Sequence, residues 1–133
     1  MKTDPSGINE RLNGTLATLL GMHIVEAGPE RVVAELAIRD DLRTVGGALH
    51  GGTLMALADT VGAVATVLNL PPGARTTTVE SKTNFLAAGR AGHVRAETTP
   101  LHRGKRTMVW QTRVTDEAGR LLSQTIQTQL VLP

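Results

Sequence analysis

Cysteine is absent from this 133-residue chain, and so is tyrosine. The first absence removes disulfides, thiolate metal sites and cysteine nucleophiles together, and it fits a reducing compartment. Phe85 and Trp110 are the only aromatic residues. They are too few for a stacking platform that binds single-stranded nucleic acid. No apolar run approaches a membrane span. Met1 to Gly7 holds one lysine with no apolar stretch behind it, so no secretory signal is read there. The expectation is a cytoplasmic protein with neither a membrane nor a nucleic-acid partner.

Charge of one sign is also lacking. The pI near 9.7 looks basic, yet the net charge is only +2. Without Tyr or Cys, few groups titrate between His and Lys, so a small surplus of positive charge persists to high pH. A pI produced this way does not point to nucleic acid. The length predicts one domain over residues 1–133, with a short N-terminal tail of about residues 1–7. Such a chain can bury a core without metal or disulfide staples.

What is present reads as α+β. Ile8, Leu12, Leu16, Leu19 and Leu20 recur at helical spacing, and Gly21 ends the helix. A short strand over Met22–Ala27 turns at Gly28-Pro29 into an alternating strand over Arg31–Arg39. After a loop, Gly51–Asn69 forms a long helix that is apolar along Leu54, Leu57, Val61, Val64 and Leu68 and small-residued elsewhere. A helix with so little polar surface is expected to be buried. Four strands follow, over Arg75–Leu86, His93–His102, Lys105–Thr115 and Leu121–Leu132, with glycines in the turns. Pro100 marks an edge or a bulge. One buried helix wrapped by a curved antiparallel sheet is the simplest solution.

Two features of the long helix carry chemistry. His50-Gly51-Gly52 stands where the loop enters it. The first N–H groups of a helix have no partner within it and lie at the positive end of its dipole. Glycine lets a ligand approach them, so the site can polarise a carbonyl, although the same residues can simply turn the chain. Asp59 lies inside the otherwise apolar helix, where a carboxylate is either solvated on an exposed stripe or functional. His50 can equally be a structural histidine bonded to its loop. Asp40-Asp41 lacks the further ligands of a calcium loop, no spacing makes a zinc site, and Ser6, Ser81 and Ser123 lack a nucleophile elbow. Arg103, Lys105 and Arg106 in one hairpin turn, with Arg90 in the preceding turn, are candidate phosphate ligands.

Gly47-Ala48-Leu49-His50-Gly51-Gly52 followed by Ala58-Asp59 resembles the phenylacetate-degradation (PaaI-type) thioesterases of the hotdog superfamily, and the similar 4-hydroxybenzoyl-CoA thioesterase branch. The resemblance implies a hotdog fold and hydrolysis of an acyl-CoA to a carboxylic acid and CoA, with no cofactor or metal. It implies a homo-oligomer, a dimer or a tetramer built as a dimer of dimers, with each site shared between subunits. By the same resemblance, Gly51 donates its N–H to the thioester carbonyl. Asp59 acts as nucleophile or general base, and His50 shapes the site. A strand hydroxyl orients water: Thr78, or Thr77 beside it. Gly52 adjoins the substrate. Relatives often carry Asn or Gln six residues before the His; here Thr44 offers one donor on a shorter stem. The rival readings are a non-catalytic acyl-CoA binder and a hydratase or dehydratase on the same fold.

Overall fold

The computed structural model describes residues 3–133. The chain begins with two short helices, α1 (Pro5–Leu12) and α2 (Leu16–Leu20), where the sequence predicts one helix from Ile8. The Asp4 carboxylate accepts the Ser6 N–H at 3.0 Å, and Pro5 occupies the first turn, so the helix starts earlier than expected. The expected tail is correspondingly shorter, and its residues Met1 and Lys2 lie outside the described residues. Gly14, at φ +78°, interrupts the helical run. Gly21 adopts the left-handed cap at the end of α2, as its position predicted.

Six strands form one antiparallel sheet: β1 (His23–Gly28), β2 (Arg31–Ala37), β3 (Arg75–Phe85), β4 (His93–Arg103), β5 (Thr107–Thr115) and β6 (Leu121–Leu132). Their order is β1-β2-β4-β5-β6-β3, so β3 crosses over to the far edge and pairs only with β6. The long helix α3 (Gly51–Val67) lies across the inner face and touches all six strands. This is the hotdog arrangement expected. Leu54, Leu57 and Val61 of α3 meet Val32, Ala34, Leu36, Val94, Ala96, Trp110 and Val114 in the core. Full burial of each larger aliphatic side chain contributes about 1.5–3 kcal/mol. Pro100 stands at the irregularity between Pro100 and His102 in the β4–β5 pairing, past Thr98 where the pairing of β4 with β2 ends, so it marks a bulge on a stretch with one side unpaired. Among the described residues, no helix is long and apolar enough to cross a membrane.

One strand departs from the apolar rule. The buried row of β6 is Ser123, Thr125, Gln127 and Gln129, while Ile126 between them is exposed. On β3, the register shifts between Thr78 and Glu80, leaving Val79 exposed. The polar row and the bulge both adjoin Asp59.

Candidate active site

Two chemical groups lie on α3, at its start and at its middle. His50 caps the helix: its Nδ1 accepts the Gly52 N–H at 2.7 Å. With Nδ1 as the acceptor, Nε2 is the ring nitrogen left to act as a donor. This engages the Gly52 N–H within the chain, so Gly52 can adjoin a substrate only through its exposed Cα. The Gly51 N–H meets no acceptor among the described residues and remains open at the positive end of the helix. The Phe85 ring packs over Gly51: a Cβ there would stand 3.0 Å from it. A side chain at this position would press on the half-exposed Phe85 ring. Nothing in the sequence marks Phe85 as a neighbour of Gly51.

Asp59 is half-buried on the side of α3 that faces the junction of β3 and β6. The Thr78 hydroxyl donates to its Oδ1 at 2.7 Å. Thr77 is exposed and does not meet Asp59 of its own chain, because successive residues of a strand point to opposite faces. Thr78 Oγ1 also lies 2.6 Å from Gln129 Oε1. A hydroxyl has one hydrogen, so Gln129 and Asp59 compete for it. Gln127 Nε2 approaches Asp59 Oδ1 at 3.3 Å, the Asp59 carbonyl oxygen at 3.4 Å and Gln129 Oε1 at 3.1 Å. Neither glutamine was singled out from the sequence.

A cavity of about 390 Å³ opens beside this cluster. Ala63, Val64 and Val67 of α3 and Leu68 just after it line it with Ile8 and Leu12 of α1, and Asp59, Thr60, Thr78 and Arg11 supply polar groups. Apolar walls with a few convergent polar groups describe a small-molecule site. No group of three or more His, Cys, Asp or Glu side chains among the described residues is placed to hold a metal ion.

The basic residues do not form one patch. Arg90 lies near the start of α3, where its Nη1 donates to the Gly46 carbonyl at 3.1 Å. Thr44 is exposed in the same loop, closed by its N–H to the Ala48 carbonyl at 2.8 Å. Arg103 is tied to the Pro29 carbonyl at 3.2 Å and shares a cleft with Lys105 and Asn69, past the other end of α3. Arg106 is exposed in the same turn. The two basic turns flank opposite ends of β4, an 11-residue strand, so they stand roughly 35 Å apart within one chain. A single chain cannot use all four on one phosphate group.

Residues 46–123 match the Thioesterase superfamily. The chain is 30% identical over 125 residues to the 1,4-dihydroxy-2-naphthoyl-CoA hydrolase of Escherichia coli, covering 94% of this chain and 92% of that one. It is 31% identical over 113 residues to the proofreading thioesterase EntH of Cronobacter turicensis, covering 85% and 82%. A crystal structure of a thioesterase from Haemophilus influenzae superposes with a TM-score of 0.94 at 27% identity, over 99% of this chain and 92% of that one. With the helix-start glycines and the helical carboxylate in place, the chain belongs to the Thioesterase superfamily of hotdog-fold proteins.

Proposed function

We propose that this protein hydrolyses acyl-CoA thioesters to a carboxylic acid and CoA, with Gly51 and Asp59 as its working groups. The observation that carries the reading is the pairing of an open helix-start N–H with a carboxylate held by Thr78 beside an apolar cavity. The Gly51 N–H binds the thioester oxygen and stabilises the negative charge that develops there. In one route Asp59 removes a proton from water, whose oxygen attacks the acyl carbon. In the other, an Asp59 oxygen attacks directly to give a mixed anhydride, which water then cleaves. In both, the carbon–sulfur bond breaks and CoA leaves as its thiolate, which takes up a proton. The leaving group is good enough that the reaction needs no cofactor. A single turnover in ¹⁸O-water separates general-base catalysis, which puts the label in the carboxylic acid, from direct attack with water cleaving the anhydride at the Asp59 carbonyl, which leaves the label on Asp59 and the first product unlabelled.

The site is completed by a second subunit. Gly51 and Asp59 are eight residues apart on one helix, which is about 12 Å along its axis. One carbonyl cannot touch both in the same chain. A two-fold partner that sets its own Asp59 against this chain's Gly51 closes the gap. The unpaired edge of β3 offers a route for such pairing, and its Val79 is exposed. The assembly is thus a homodimer, or a tetramer made from two dimers, working in the cytoplasm. The apolar walls of the cavity suit an aliphatic or aromatic acyl group. A panel of short, long and aromatic acyl-CoAs, followed by thiol release, tests the reading. Turnover of at least one well above the rate without enzyme supports it; no turnover of any, with binding retained, favours the non-catalytic binder.

A further inference from the structure

Gln127 is fully buried, yet its Oε1 has no hydrogen-bond partner. An apolar side chain of the same shape would avoid leaving a polar atom unpaired in the core. Its carboxamide lies flat against α3 at Gly62, where a Cβ would collide with it. Gly62 is one turn after Asp59, so the amide seated there reaches the Asp59 carboxylate and carbonyl with the same Nε2 that donates to Gln129. Gln129, also fully buried, donates in turn to Thr76 Oγ1 at 3.1 Å.

We infer that Gln127, seated against Gly62, is a positioning residue for Asp59 in the thioesterase reaction; the inference rests on the reading of Asp59 given above. Gln127 acts in two ways. Its Nε2 holds the Asp59 side chain at the junction of α3 and β6. It also loads Gln129 Oε1 with a donor, which makes Gln129 a weaker competitor for the Thr78 hydrogen and directs that hydrogen to Asp59. Gly62 is the complementary device on the helix: any side chain there expels the amide.

The test uses Gln127→Met, Gly62→Ala, the double variant and Asp59→Asn in the full chain. The substrate is whichever of hexanoyl-, decanoyl- or benzoyl-CoA the wild type turns over fastest. Gln127→Met is expected to lower kcat by about 10- to 100-fold, the scale of a displaced reacting group. KM should stay within about twofold, because no contact with the substrate is lost. The melting temperature should hold or rise. Gly62→Ala should lower kcat in the same sense, and the double variant should be no slower than the slower single, because both remove one interaction. If Gln127→Met does not fold, Gln127→Leu, also uncharged and without the amide hydrogens, is read by the same criterion. Wild-type kcat in the Gln127 variant beside an inactive Asp59→Asn overturns the inference alone, as do multiplicative effects of Gln127→Met and Gly62→Ala. Wild-type kcat in Asp59→Asn overturns the reading of Asp59, and the inference with it.

Discussion

The Thr78 hydroxyl on β3 donates to Asp59 Oδ1 on α3 at 2.7 Å, tying the sheet edge to the middle of the helix. A hydrogen bond to a charged group contributes about 1.5–3 kcal/mol. Thr78→Val removes it with little change of shape, and kcat should fall by about 10- to 100-fold on that scale. Thr77→Val, on the exposed face, should leave kcat unchanged. Steady-state thiol release on the two variants checks the pair.

His50 serves the helix before it serves the substrate. His50→Ala removes the acceptor of the Gly52 N–H and should cost about 0.5–2 kcal/mol of stability, as lost N-caps do. His50→Asn keeps a capping oxygen and should recover most of that loss. Urea unfolding of the three proteins measures it.

Shared sites predict complementation. Gly51→Val displaces Phe85 and blocks the helix start, and Asp59→Asn removes the carboxylate. Each alone should be nearly inactive. After the two are unfolded together and refolded, half the dimers are mixed and each mixed dimer has one intact site. Activity should return to about a quarter of wild type. No recovery, with mixed dimers demonstrated by differential tagging, contradicts the shared site.

The separation of the basic turns predicts unequal effects on CoA binding. Neutralising Arg90, or one of Arg103, Lys105 and Arg106, should raise KM with little effect on kcat where the residue meets the nucleotide phosphates. That effect should shrink as salt is added. Unchanged KM in all four single variants makes both turns solvated surface only.

The sequence carried the architecture well because its periods are clean. Val32, Ala34 and Leu36 alternate into the core, as do Met108, Trp110, Thr112 and Val114. The break between α1 and α2 lay in Asn13-Gly14-Thr15, inside an apolar spacing that runs on past it. The polar seam beside Asp59 was harder to read. In β6 the row Ser123, Thr125, Gln127 and Gln129 alternates with Gln124, Ile126, Thr128 and Leu130, so neither face reads as apolar. Pairing with β5 and β3 decides which row is buried. Thr76, Thr77 and Thr78 are chemically alike, and only register and the bulge after Thr78 select the one that meets Asp59. The splitting of Arg90 from Arg103 was legible: consecutive turns of an antiparallel meander lie at opposite ends of the strand between them.

If Asp59 does the chemistry, Asp59→Asn abolishes it. The change keeps the volume and removes the charge. Thiol-release rate and melting temperature are measured on the same preparation with the fastest acyl-CoA. The kcat should fall by at least about 10²-fold, the scale of general-base loss, while the melting temperature holds or rises because a partly desolvated carboxylate is gone. Unchanged kcat/KM, or a loss of stability with full activity per folded molecule, would contradict that role of Asp59.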